Sequence, residues 1–145
     1  TGLCRMNDVV ASKIQGIQRA VQRAREEVAA DPDGFDANST RQDAAVLNVL
    51  RACEQAIDLA NHVIMRGKLG IPTSSGESFD LLRVAGVIAP ELAGRLKKLV
   101  GFRNVAMHLY RPIDGQSIRT VIDTALDDVV RFGDEVLGYL NGVAD

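Results

Sequence analysis

Apolar residues recur at three- and four-residue intervals along nearly the whole chain, and that period leaves little but helices to build with. Ile14, Ile17, Val21, Ala24 and Val28 form one stripe, with Arg19, Arg23, Glu26 and Glu27 lying off it. This predicts a first helix from about Asp8 to Ala30, ended by the breakers Asp31-Pro32-Asp33-Gly34. After a polar, irregular stretch from Gly34 to Ser39, Thr40 and Asp43 have the spacing of a capping box. A second long helix then buries Leu47, Leu50, Ile57, Ala60 and Ile64 and ends near Gly67 or Gly70. The connector Ile71-Pro72-Thr73-Ser74-Ser75-Gly76 leads to a short helix over Ser78–Val87. Pro90 suits the first turn of a fourth helix carrying Leu92, Leu96, Leu99 and Val100, closed by Pro112 and Asp114-Gly115. A last helix from about Ser117 to Leu140 uses Val121, Ile122, Ala125, Val129, Val136 and Leu140. No strand-like alternation competes, so the expected fold is all-α, four long helices and one short one with no sheet.

Bulk properties narrow the class. A chain of 145 residues, 46% hydrophobic and 25% charged, is expected to form one globular domain. Residues 1–6 read as an N-terminal extension or an expression remnant, and residues 7–145 as the single domain. The net charge of -2 gives no global attraction to nucleic acid, so a polyanion needs a local cluster of cations. No apolar run is long enough to span a membrane, and Thr1–Met6 lacks the apolar stretch of a signal peptide. Cys4 and Cys53 have no framework spacing, which fits reduced thiols and a cytoplasmic protein. No cluster has zinc-type spacing, and no cofactor is expected.

Chemistry concentrates in Arg103-Asn104-Val105-Ala106-Met107-His108-Leu109-Tyr110. The chain has only two histidines and no tryptophan, so this R-x4-H-x-Y segment is the main candidate site. Histidine titrates near neutral pH and can act as base or acid, whereas arginine offers a permanent fork of donors matched to phosphate oxygens. That set suits metal-independent RNA cleavage, in which a base activates the 2′-hydroxyl, an acid protonates the leaving oxygen and cations hold the phosphate. Asn104 is placed to orient the imidazole or to donate to the phosphate. Arg95, Lys97, Lys98 and Arg111 flank the motif as candidates for RNA backbone contacts. At about 100° per residue, Arg103 and Tyr110 nearly eclipse, but Arg103 and His108 stand about 140° apart. One straight helix does not easily aim both at one target, and a two-fold axis that brings two copies together would. A plainer reading also holds, since the helix dipole favours cations at a C-terminus and basic flanks are commonly solvated faces. Asp58 and His62, four apart, form a secondary candidate acid–base pair or a surface ion pair.

The context of the motif carries a resemblance. Ser78-Phe79-Asp80-Leu81-Leu82, then Leu96-Lys97-Lys98-Leu99-Val100-Gly101-Phe102-Arg103-Asn104 and His108-Leu109-Tyr110, resembles the HepT family of HEPN-domain ribonuclease toxins. Ala56–Ile64 and Gly70–Ser74 are similar to it as well. The resemblance implies a HEPN-type antiparallel helical bundle and the toxin of a type VII-like toxin–antitoxin system. It further implies a homodimer that frames a composite RNase site, with an MntA-type nucleotidyltransferase as antitoxin. On that resemblance Arg103 and His108 match the catalytic pair, and Tyr110 matches the tyrosine silenced by AMP addition. Two other readings stay open: a non-catalytic HEPN-like module that binds nucleotide or RNA or scaffolds a partner, and a plain dimerisation bundle.

Overall fold

The apolar stripes of the sequence become helices in the computed structural model, which describes residues 2–108 and 113–144. Helix α1 spans Gly2–Ala30, α2 Ser39–Gly67, α3 Ser75–Val84, α4 Pro90–His108 and α5 Gly115–Ala144. Four long helices and one short one are thus present, with no strand among the described residues. A single 3₁₀ turn, Phe35–Ala37, lies between α1 and α2.

Helix ends depart from the expected positions for local reasons. α1 begins at Gly2 rather than Asp8, because nothing in Leu3–Asn7 interrupts a helix once it has formed. The Thr40–Asp43 capping box does not start α2. Asn38, in extended backbone, takes that role, and its side-chain oxygen accepts the Arg41 N–H at 3.0 Å. α2 ends at a left-handed Lys68, with φ of 53°, and the Leu69 N–H reaches back to the Ile64 carbonyl at 3.0 Å. α3 lies one turn earlier than expected because Ser74 caps it, accepting the Glu77 N–H at 3.1 Å. α5 starts at Gly115, where Asp114 accepts the Ser117 N–H at 2.9 Å and the Ser117 hydroxyl at 2.8 Å. The Ser117 backbone bond, followed by the hydroxyl bond, holds the Asp114 carboxyl below its ordinary range.

The core is built around α2, which packs against α1, α3, α4 and α5. Ala45, Val49, Ala52, Ala56, Ala60 and Val63 make a buried seam of mostly small residues along it. Facing this seam, α1 buries Ile14, Ile17, Val21 and Ala24, as its periodicity predicts. Gly133 lets α5 come against α1, since a Cβ there would meet Ile14 at 3.2 Å. Beside Gly133 on α5, Phe132 meets Phe79 of α3 edge to face, their ring centroids 5.4 Å apart. Phe35, in the stretch expected to be irregular and polar, is fully buried, with the Arg119 guanidinium 5.3 Å above its ring. Leu47 was expected in the core but is 47% exposed, and Leu50 is half-buried. The buried side of α2 is the alanine seam instead, which leaves these two leucines towards α4 and α5.

Candidate active site on helix α4

Arg103 is the most constrained charged group on α4. Its side chain is only 16% exposed, and its Nη1 donates to Glu54 of α2 at 2.7 Å. Nε and Nη2 donate to the side-chain oxygen of the neighbouring Asn104 at 3.2 and 2.9 Å, and Nη2 reaches the Ser75 hydroxyl of α3 at 3.5 Å. Three elements thus fix the plane of the guanidinium. Asn104 thus holds Arg103 through its side-chain oxygen, and no hydrogen bond joins it to His108. Sequence reasoning misses Glu54 and Ser75 because they lie 49 and 28 residues from Arg103 and no local pattern marks them. Beneath the guanidinium, burial pushes the Cys53 thiol up to about 12, so it stays protonated and unreactive at neutral pH.

His108 stands in the last turn of α4 and is exposed. Arg103 turns instead towards α2 and α3, and no hydrogen bond joins the two side chains. The separation around the axis expected from five residues is therefore real: within one protomer the pair does not converge. Tyr110 and Arg111 lie outside the described residues. The remaining basic candidates split between two sides of α4. Lys97 bonds Asp80 of α3 at 2.9 Å, whereas Arg95 bonds Asp128 of α5 at 3.5 Å. Arg95 and Lys98 line a groove of about 280 Å³ between α4 and α5, together with Phe102 and Thr124.

The Asp58–His62 pair does not form. Asp58 bonds Lys13 of α1 at 3.4 Å, and the His62 Nε2 is buried without a hydrogen-bond partner. Desolvation, with Arg66 and Lys13 nearby, lowers the His62 pKa and favours the neutral ring. Among the described residues no group of three His, Cys, Asp or Glu side chains is placed to hold a metal ion, and no helix is long and apolar enough to cross a membrane.

Comparison with known proteins decides the family. The family model described as "Ribonuclease HepT-like" matches residues 17–136. The chain belongs to the HepT-like ribonuclease family. This HepT-like chain is 39% identical over 131 residues to the mRNA nuclease HepT of Shewanella oneidensis, covering 90% of the chain and 98% of that protein. A tRNA nuclease HepT of Aphanizomenon flos-aquae is 29% identical over 87 residues, covering 60% of this chain and 59% of that one. The fold matches the tri-AMPylated HEPN toxin of Shewanella oneidensis solved in complex with its MNT antitoxin, with a TM-score of 0.84 and 37% identity over 90% of this chain and 98% of the other. A crystal structure of a toxin–antitoxin with AMP-PNP matches at a TM-score of 0.84 and 36% identity, with the same coverage. The bundle is thus the HEPN toxin fold expected from the motif.

Glu54 generates a test of how Arg103 is held. Glu54→Gln keeps an oxygen acceptor for Nη1, and RNA cleavage is expected to stay within about threefold of the parent, whereas Glu54→Ala frees the guanidinium and lowers kcat about tenfold or more. Equal kcat for Glu54→Ala and the parent would show that Arg103 does not depend on this anchor.

Proposed function

We propose that this HepT-like chain is a metal-independent endoribonuclease that works as a homodimer and forms the toxin half of a type VII-like toxin–antitoxin pair in the cytoplasm. The observation that carries the reading is the contrast on α4 between a clamped Arg103 and an exposed His108. A fixed guanidinium is what a phosphate clamp needs, because its donors already point in set directions before substrate arrives. An exposed imidazole is what proton transfer to and from a large substrate needs. The named nuclease activity of the relatives points to RNA as the polymer that is cut.

In the proposed step His108 takes the proton of a ribose 2′-hydroxyl. The freed oxygen attacks the adjacent phosphorus, and the bond from phosphorus to the 5′-oxygen breaks. A protonated His108 gives its proton to that leaving oxygen, yielding a cyclic phosphate and a 5′-hydroxyl. Arg103, with the Asn104 amide beside it, stabilises the charge that builds on the non-bridging oxygens. A second copy brings each Arg103 near the other copy's His108, and that one imidazole, once it carries the 2′-hydroxyl proton, is the acid that protonates the leaving oxygen.

The surface of α4 supports a dimer. Gly94, Gly101 and His108 recur at sevens and so share one stripe, and a side chain added at either glycine would meet nothing within 4 Å. Val105 and Met107 beside the stripe are 53% and 61% exposed. A separate apolar groove of about 330 Å³, lined by Leu47, Leu50, Ala106 and Ile113, lies on the side of α4 that faces α2. Arg95, Lys98 and Arg111 are assigned to RNA backbone contacts.

Silencing is assigned to Tyr110, two residues beyond His108. An MntA-type nucleotidyltransferase would join the phenol oxygen to the α-phosphorus of ATP and release pyrophosphate. The added AMP places a bulky anion next to the motif, where it repels an incoming RNA phosphate. The complex of an AMPylated HEPN toxin with an MNT antitoxin is the relative that motivates this partner.

Incubation with RNA in EDTA tests the chemistry. Products ending in a cyclic or 3′-phosphate are expected from the parent, with a loss of about 10²-fold or more in His108→Ala. Full cleavage by His108→Ala, or cleavage that EDTA abolishes, contradicts the mechanism. Tyr110→Phe is expected to cut RNA and to resist silencing by the nucleotidyltransferase with ATP. Incorporation of AMP into that variant, followed on intact mass, would move the modification to another residue.

A further inference from the structure

Between α1 and α2 runs an open polar groove of about 520 Å³ that the proposed chemistry does not use. Arg19 and Arg23 stand along its α1 wall, and Arg51, Asn48 and Gln55 along its α2 wall. Arg23 is compensated by Glu26 at 2.6 Å and Glu27 at 3.1 Å. Arg19 and Arg51 make no ion pair among the described residues. The chain has 19 acidic residues against 17 basic ones, so carboxylates were available to pair them. Two exposed guanidinium groups left uncompensated across one groove therefore make a local positive site on an acidic protein.

The floor is built as well as charged. Gly16 lets the Gln55 amide lie against α1, since a Cβ at that position would meet the Gln55 side-chain carbon at 3.1 Å. Asn48 is 5% exposed, and its amide nitrogen donates to the Ala44 carbonyl at 2.9 Å. That bond fixes which way the amide points and leaves its oxygen as an acceptor at the groove. Cationic donors with a carbonyl acceptor between them match a ribose–phosphate strand, whose phosphates take the arginines and whose 2′-hydroxyl can donate to Asn48.

One further feature favours a strand over a single small anion. Arg51 lies one turn before Glu54, the residue that holds Arg103, so the groove and the α4 site share a wall of α2. We propose that the α1–α2 groove is a second RNA-backbone site, through Arg19, Arg51 and Asn48, that holds the strand outside the point of cleavage. The identity of the ligand, though not the charge of the groove, rests on the ribonuclease reading.

The test measures binding of a single-stranded 12-nucleotide RNA to the full chain carrying His108→Ala, by fluorescence anisotropy across a salt series. Adding Arg19→Ala and Arg51→Ala is expected to raise Kd about tenfold and to flatten the slope of log K against log salt by about 1 to 2, while Arg19→Lys with Arg51→Lys recovers most of the slope. An unchanged Kd and slope overturn the proposal, as does unchanged RNA binding with loss of binding to the nucleotidyltransferase, which would make the groove a protein-docking face. Parallel assays on the parent chain separate the two readings. RNA binding that depends on Arg19 and Arg51 without any cleavage removes the ribonuclease and keeps the groove. Cleavage with arginine-independent binding does the reverse.

Discussion

Burial of one broad face of α2 against four other helices is the constraint from which the rest of this molecule follows. A face that meets so many neighbours has no room for bulk at every position. The seam Ala45, Ala52, Ala56 and Ala60 resolves this by letting α1 come close, while Ile57, Leu59 and Ile64 fill the remaining volume. Once the seam fixes the rotation of α2, its other positions are fixed with it. Glu54 is turned to Arg103 of α4, Asn61 accepts the Ser78 hydroxyl of α3 at 2.6 Å, and Arg51 faces the α1 groove. The candidate site is thus an outcome of core packing rather than of the motif alone.

How far the sequence foretells this can be judged residue by residue. The stripe on α1 and the start of α4 at Pro90 were legible because both rest on local rules, helical period and a preset φ. The choice of cap at Asn38 over Thr40 was not, since both fit a cap and only the backbone conformation separates them. Leu47 and Phe35 show the limit of hydrophobicity as a guide: a leucine on a plausible face is exposed, and a phenylalanine in a polar stretch is buried. In the site, Arg103 and His108 stood out because their chemistry is rare in this chain. Glu54 and Ser75 did not, and neither did the Lys13 partner of Asp58, 45 residues away. Long-range polar partners are set by tertiary packing, which no window of local sequence contains.

Charge placement separates the structural arginines from the ones available to a ligand. Arg131 bonds Glu91 and Glu135 and ties α5 to α4, and Arg119 bonds Asp36 over the ring of Phe35. These hold elements together at exposed positions, where water and salt screen each pair. Arg103 differs because it is largely buried and held by neutral as well as charged acceptors, an arrangement that sets direction more than stability. Arg19 and Arg51 differ again in making no ion pair among the described residues.

The proposed mechanism depends on Arg103 and His108 acting together although α4 points them apart. The most direct test mixes the two inactive variants, Arg103→Ala and His108→Ala, after denaturation and refolding so that protomers exchange. The account predicts that mixed dimers, which pair an intact Arg103 on one copy with an intact His108 on the other, regain RNA cleavage while neither variant cuts alone. Complete exchange, verified by native mass spectrometry, without any recovery of cleavage would contradict the composite site.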